Sequence, residues 1–347
     1  MTGRDLRLYG VRRSEGIVGG VVIIPGSAGR RGEVAMSYTI MVAVDGEPDH
    51  RAALDWAAAR AARDGARLEL VHVIERSWGD SADEPSHLLV LAVRSLLDAE
   101  KTIALHHARE VRARGPVPAG STGTAAAPAD TGDDIDVGTR YCYGHIGPEL
   151  AAVSRDADLL VIGTPAEADR RRAFAGSLAV RVAAVAESPV AAVPHGWVDG
   201  GRGVVVGVDG ELQTESAVEF AAAEAEILGE PLTVACAGYV ANPLLAGLVP
   251  EISLGDRRER IAAEAADRAK ERHPGVTVFT DVLDTAPSRG LVAEADGARL
   301  LVIGTHDRHG MQRLMLGSVG HDILLNVRTP VVVVRRSGSG AEGAGRR

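Results

Sequence analysis

Short runs of aliphatic and β-branched residues recur along the chain, and Ala-rich segments with a helical period follow several of them. The run YTIMVAV at 38–44 ends at Asp-Gly, and an Ala-rich segment at 52–63 comes next. LLVIGT at 159–164 and PVAAV at 189–193 are also continuously apolar. Strands of this kind are buried on both faces, which is typical of a parallel sheet covered by helices. The pattern predicts alternating strands and helices, an α/β fold.

The same pattern occurs twice. GVVVGVDG at 203–210 repeats YTIMVAVDG at 38–46, and ARLLVIGT at 298–305 repeats ADLLVIGT at 157–164. In both halves a Gly-to-Gly spacing of 13 and a Gly-to-Pro spacing of 13 follow the fourth apolar run. Matched spacings of this kind indicate a duplication. We therefore predict two tandem domains, each a doubly wound, Rossmann-like sheet of five parallel strands.

The limits of the repeat define the predicted domains. The first domain spans 38–198 and the second 203–336. The first is longer because of a segment at about 115–134 that is rich in Gly, Ala, Pro and Thr, a composition that predicts a mobile surface insert. Residues 1–37 and 337–347 lie outside the repeat and are predicted to be a disordered extension and tail. Whether the whole extension belongs to the native product stays open.

Composition and charge remove several classes of function. The net charge of −9 argues against a nucleic-acid partner. Gly precedes neither of the two lysines, so a P-loop is excluded. The two cysteines, Cys142 and Cys236, are far apart and match no zinc spacing, which predicts a reduced, cytoplasmic protein. The apolar stretch at 17–25 is too short to span a bilayer, although a signal peptide remains a minor alternative.

The order of the strands predicts where a ligand would bind. On doubly wound sheets, ligands bind beyond the carboxyl ends of the strands, at the topological switch point. Asp45 and Asp209 end the first strand of each half, and Gly163 and Gly304 end the fourth. These ends should lie side by side and form a cleft. The alternative is structural, because Asp after a strand and Ser after Gly can each simply cap a helix.

The series VAVDG, LVIGT, GS and PV resembles the universal stress protein family, and the likeness covers nearly all of 38–336. The resemblance implies an adenine nucleotide alpha-hydrolase-like fold, with the halves joined through their last strands as a pseudo-dimer. It leaves a homodimer of whole chains open. It also implies that ATP binds, with Mg²⁺, through aspartate at the adenosine, second-strand backbone at the adenine, and glycine loops at the ribose and phosphates. The implied binding residues are Asp45, Gly46, Val73, Gly163, Thr164, Gly176 and Ser177 in the first half, and Asp209, Gly210, Ala237, Gly304, Thr305, Gly317, Ser318 and Val319 in the second.

Each half departs once from the family's ATP motif, Gly-x2-Gly-x9-Gly-Ser/Thr. The second glycine is Ala166 in the first half and Asp307 in the second. At an effective dielectric of about 20, two unit charges about 4 Å apart repel by about 4 kcal/mol, so Asp307 should disfavour a triphosphate. This comparison predicts better nucleotide binding in the first half. His306 and His309 flank Asp307, but the first half has no such histidines, and we predict no metal site.

The function predicted from these features is a non-catalytic stress-response protein. Nucleotide-binding-type pockets would regulate partner binding or assembly, with no nucleic-acid or membrane partner. The alternative is the same fold with empty pockets, acting purely as a protein-interaction module. Adenylating enzymes of this fold class carry a Ser-Gly-Gly loop or a HIGH element after the first strand, where this chain has DGEP at 45–48 and DGEL at 209–212. We therefore predict no enzyme activity, leaving only slow ATP hydrolysis open.

Overall fold

The computed structural model describes residues 22–23, 38–76, 84–114, 135–164, 178–210, 214–238, 251–305, 316–326 and 328–335. In the first half, strands and helices alternate in the order β1 (Val22–Ile23), β2 (Thr39–Ala43), α1 (Ala52–Asp64), β3 (Arg67–Glu75), α2 (His87–Arg114), β4 (Val137–Gly144), α3 (Ile146–Val153), β5 (Leu159–Thr164), α4 (Leu178–Val185) and β6 (Val190–Pro194). The second half follows the same order with β7 (Val204–Val208), α5 (Thr214–Leu228), β8 (Leu232–Ala237), α6 (Glu251–Arg272), β9 (Val278–Leu283), α7 (Pro287–Glu294), β10 (Leu300–Gly304), α8 (Ser318–Asn326) and β11 (Val331–Val334).

All eleven described strands belong to one sheet, in the order β1-β4-β3-β2-β5-β6-β11-β10-β7-β8-β9. Within each half, five strands are parallel and run third, second, first, fourth, fifth across the sheet. The order reverses between β2 and β5 and again between β7 and β10, so each half has one switch point. The predicted fold class, two doubly wound five-stranded domains in tandem, is confirmed.

The two halves join through their last strands. β6 pairs antiparallel with β11, with Val190 opposite Val333, Ala191 opposite Val332, and Ala192 opposite Val331. Ala191 and Val332 each stand two residues after the proline of the matching SPV and TPV segments, so they occupy the same position of the repeat. A residue that pairs with its own counterpart lies on a two-fold axis. The halves therefore form the predicted pseudo-dimer, with its local axis between these two strands.

The helices cover both faces of the sheet and build two apolar layers that run through both halves. Side chains of α1, α2, α5 and α6 fill one layer, and those of α3, α4, α7 and α8 fill the other. The facing sides of α1 and α5 are mostly alanine, including Ala57, Ala61, Ala221 and Ala225, which are almost fully buried. Small side chains let these helices lie close to the sheet, and the strands supply most of the largest fully buried side chains, such as Leu68, Leu159 and Ile162.

The segments that the sequence predicts to lie outside the packed domains fall mostly outside the described residues. The predicted insert at 115–134 and the tail at 337–347 lie outside the described residues. Within the extension at 1–37, Val22–Ile23 forms a short strand that pairs antiparallel with β4. The composition of the extension gave no indication of this strand, because an edge strand of two residues carries no periodic pattern.

Candidate functional site

Each half has a cleft at its switch point. The first lies beyond the ends of β2 and β5 and encloses about 180 Å³. The second lies beyond the ends of β7 and β10 and encloses about 220 Å³. Their positions agree with the rule for doubly wound sheets, because two neighbouring strands there send their connections to opposite faces and leave a gap.

The Asp-Gly turns set the position of the two aspartates. Gly46 and Gly210 have φ values of +86° and +84°, which side chains with a Cβ rarely adopt. A Cβ on Gly46 would lie 2.6 Å from Leu96 Cδ1, and one on Gly210 would lie 2.9 Å from Ile261 Cδ1. The turns therefore pack directly against α2 and α6. This contact holds the preceding aspartate at the mouth of each cleft.

In the first cleft, hydrogen bonds within the protein already engage the Asp45 carboxylate. His50, at the end of a 3₁₀ turn after β2, donates from Nδ1 to Asp45 Oδ2 over 2.6 Å. The backbone N–H of Glu47 donates to Asp45 Oδ1 over 3.0 Å. Burial acts to raise the pKa of Asp45, but these hydrogen bonds outweigh burial and lower the pKa below its ordinary value. Both oxygens of Asp45 therefore have partners before any ligand binds.

A second histidine lies over the glycine of the first cleft. His195 follows β6, and its backbone N–H donates to the Thr164 carbonyl over 3.0 Å. Its ring stacks on that of His50, with the centroids 4.0 Å apart and the planes inclined by 26°. A Cβ placed on Gly163 would lie 3.0 Å from His195 Nε2. The stacked pair thus occupies the approach to Gly163, where the resemblance would place the ribose or phosphates.

The wall of the first cleft is held by polar contacts. Arg51 at the start of α1 donates from Nη2 to Oε1 of Glu100 on α2 over 2.9 Å, and from Nε to the same carboxylate. His72 donates from Nδ1 to the Val44 carbonyl over 2.8 Å, as expected for a packed, hydrogen-bonded histidine. These contacts fix α1, α2 and β3 around the cleft.

In the second cleft, a smaller side chain holds the aspartate. Thr214, at the start of α5, donates from Oγ1 to Asp209 Oδ1 over 2.7 Å. Thr214 is five residues after Asp209, as His50 is five residues after Asp45, so a small hydroxyl replaces an imidazole at this position. Gly304, Gly317 and other small residues line the opposite wall. The helix α8 begins there at Ser318, and backbone N–H groups at a helix start favour anions.

Most of the predicted residues meet in the two clefts. In the first half, Asp45, Gly46, Val73 and Gly163 line the cleft; in the second half, Asp209, Ala237, Gly304, Thr305, Gly317, Ser318 and Val319 do so. Thr164 is buried at the end of β5 and is not among the residues that line the first cleft. Gly210 forms the turn below Asp209 and does not line the second. Gly176 and Ser177 lie outside the described residues.

Ala166 and Asp307 also lie outside the described residues, so the prediction that the first half binds nucleotide better stays a prediction.

The sequence did not indicate four residues that line the first cleft, namely His50, Arg51, Glu100 and His195. The spacing of five residues from Asp45 could have indicated His50. No local signal could have indicated His195, which reaches the cleft only through the pairing of β5 with β6.

Within the ranges that the structure describes, no three His, Cys, Asp or Glu side chains are grouped so as to hold a metal ion. In the same ranges, no helix combines the length and apolar character needed to cross a membrane.

Comparisons with known proteins agree with this architecture. The sequence matches the universal stress protein family over residues 36–194 and again over 202–335. Universal stress protein Rv1996 of Mycobacterium tuberculosis (strain ATCC 25618 / H37Rv) is 29% identical over 320 residues, covering 85% of this chain and 94% of its own length. A universal stress protein of Mycolicibacterium smegmatis is 29% identical over 313 residues, covering 87% of this chain and 98% of its own length.

Solved structures show the same fold. The crystal structure of a universal stress protein from Archaeoglobus fulgidus superposes with a TM-score of 0.60 at 14% identity, covering 87% of this chain and 97% of that one. Since the two family matches together take in most of the chain, this protein belongs to the universal stress protein family, with two such domains in tandem.

Proposed function

We propose that this chain is a non-catalytic stress-response protein that binds adenine nucleotide, chiefly in its second cleft, and that occupancy alters partner binding or assembly. The observation that carries the proposal is the arrangement of the second cleft. Asp209 directly follows β7 on one side, and Gly304, Gly317 and the start of α8 lie on the other. An aspartate can accept hydrogen bonds from a nucleoside, and a helix start with adjacent glycines can receive phosphate.

The proposed order of nucleotide affinity, with the second cleft above the first, follows from the side chains that stand in each cleft. In the first, His50 holds Asp45 and His195 lies against Gly163, so a nucleotide would have to displace a stacked ring pair. In the second, the residue equivalent to His50 is the smaller Thr214. This order is the reverse of the one predicted from Ala166 and Asp307, and the two arguments rest on different parts of the site.

The ligand class follows from the shape of the cleft and from family membership. In support of an adenine nucleotide, Ala237 ends β8 and lines the cleft, at the position where the family resemblance implies a backbone contact to adenine. ATP with Mg²⁺ is the proposed ligand, since Mg²⁺ would offset the Asp307 carboxylate that the sequence places in the phosphate loop.

The absence of a catalytic role is part of the proposal. Among the described residues, the side chains that line the second cleft include no histidine, lysine or cysteine, and Asp209 is joined there only by the hydroxyls of Thr214, Thr305 and Ser318 as candidate bases or nucleophiles. Regulation through a cytoplasmic partner is therefore favoured over turnover. The competing proposal is a module with empty pockets that acts only through protein contacts.

Calorimetric titration of Mg²⁺-ATP into four proteins tests the proposal. These are the wild type, Asp209→Ala, Asp45→Ala, and the control Asp136→Ala, whose carboxylate is exposed at the start of β4. We expect Asp209→Ala to weaken the tighter binding event at least tenfold, and the other two variants to leave it unchanged. If Asp45→Ala alone removes binding, the first cleft is the nucleotide site. If wild type binds no nucleotide, the empty-pocket function replaces the proposed one.

A further inference from the structure

A buried ion pair joins α1 of the first half to α5 of the second half, on the side of the sheet that carries α1, α2, α5 and α6. Arg60 donates from Nη1 and Nη2 to the two carboxylate oxygens of Glu224. The side chains of Arg60 and Glu224 are 4% and 6% exposed. A charge this deeply buried is costly unless its partner is present, so each residue depends on the other.

The surroundings of the pair come from both halves. The Arg60 guanidinium carbon lies 5.7 Å from the ring centroid of Trp56 and 5.8 Å from that of Phe220. Asp64, one turn further along α1, places Oδ2 3.3 Å from Arg60 Nε. Burial acts to lower the pKa of Arg60, but the Glu224 carboxylate outweighs burial and raises it, so the guanidinium remains charged.

The two charged residues occupy the same position of the repeat. Arg60 is fifteen residues after Asp45, and Glu224 is fifteen residues after Asp209. Trp56 and Phe220 are likewise equivalent, eleven residues after the same aspartates. The pair therefore lies on the same local two-fold axis that passes between Ala191 and Val332. A residue on this axis faces its own counterpart, whichever two halves are joined.

Identical halves would lose the ion pair at this position. Two first halves would place Arg60 against Arg60, each with only the Asp64 of its own helix as a partner, and two second halves would place Glu224 against Glu224 as buried like charges. We propose that the Arg60–Glu224 pair is a recognition element that restricts this surface to unlike halves. It keeps the chain from pairing with the matching half of a second copy. Selectivity of this kind comes from repulsion in the wrong pairings as much as from attraction in the right one.

Full-length charge variants test the proposal, all in an Asp64→Asn background so that a glutamate at position 60 does not face Asp64. The variant Arg60→Glu carries two acidic groups on the axis, and Glu224→Arg carries two basic groups. The double variant Arg60→Glu/Glu224→Arg exchanges the charges. We expect each single variant to melt at least about 6 °C below the Asp64→Asn reference, since a broken buried pair is strongly destabilising. The exchange variant should recover most of that loss.

The decisive measurement is co-refolding of the two single variants in equal amounts. Any half of the acidic chain is complementary to any half of the basic chain, so they should form a 1:1 complex with twice the mass of one chain. This complex should melt near the reference, and light scattering after size exclusion would detect it. Neither variant refolded alone should give it.

The same experiment can overturn the proposal. It fails if the mixture yields no 1:1 complex, or if the exchange variant melts no higher than the single variants. Should the single variants not fold alone, recovery of soluble complex only from the mixture supports the proposal. Failure of the mixture as well, while the reference refolds, rejects it. An apolar variant, Arg60→Leu/Glu224→Leu, gives a further check, because it should keep the fold but form like-half dimers after refolding at high concentration.

Discussion

Opening the first cleft should strengthen nucleotide binding there. The perturbation is His50→Ala/His195→Ala, which removes the stacked rings and frees Asp45. A ring–ring contact contributes about 0.5–1.5 kcal/mol, and a polar contact as exposed as the one between His50 and Asp45 contributes about 0–1 kcal/mol. A ligand that must displace both would lose about 0.5–2.5 kcal/mol, so the double variant should bind about two to seventy times more tightly.

The assay is calorimetric titration of Mg²⁺-ATP in an Asp209→Ala background, so that the first cleft supplies the signal. His195→Ala alone should give part of the gain, because it clears Gly163 but leaves His50 on Asp45. His106→Ala, exposed on α2, is the matched control and should change nothing. Unchanged or weaker binding in the double variant would refute the reasoning and indicate that the rings contact the ligand instead of blocking it.

Three further predictions concern stability and reactivity. Burial raises the pKa of the Cys142 thiol to about 11, so iodoacetamide should label this thiol slowly at pH 8 in the native protein. The contribution of the thiol to stability should fall as the pH rises above 9.0, the ordinary pKa of a cysteine. Rapid labelling of the native protein, detected by mass spectrometry, would contradict this prediction. Gly46→Ala should lower the free energy of unfolding by about 1–3 kcal/mol in urea titrations, whereas Gly147→Ala, which has open space, should not. Arg140→Met leaves Glu69 buried without its 2.8 Å partner and should cost about 3–5 kcal/mol by the same measurement, and a loss below about 1 kcal/mol would show that water compensates.

The fold could be predicted because its signals are local and occur twice. Continuous apolar runs predicted the strands, and the Ala-rich segment with a helical period at 52–63 is observed as α1 at 52–64. The join through β6 and β11 followed from the family resemblance and from the apolar character of these edges, which had to be covered. Agreement between the two copies made each assignment stronger than either copy alone.

The contents of the site could be predicted only in part. Asp45 and Gly163 follow from their place at strand ends, but His195 enters the cleft from a different strand, 32 positions after Gly163. Nothing in the sequence indicated that Arg60 and Glu224 are buried, since a single charged residue in an Ala-rich helix usually faces solvent. Only the antiparallel pairing of the last strands turns these two helices toward each other. Contacts that depend on the join between the two halves therefore could not be predicted from local sequence patterns.

The antiparallel join has a consequence for how the protein is made. β6 is complete when the first half leaves the ribosome, but its partner β11 begins 141 positions later. At about 5–20 residues per second, translation takes about 7–28 s to cover that distance. During this interval the β6 edge, Val190–Pro194, has no β11 to pair with, and an open apolar edge is a template for aggregation. Ribosome stalling within the second half would prolong this stage, so the half-made chain needs a chaperone more than the finished protein does.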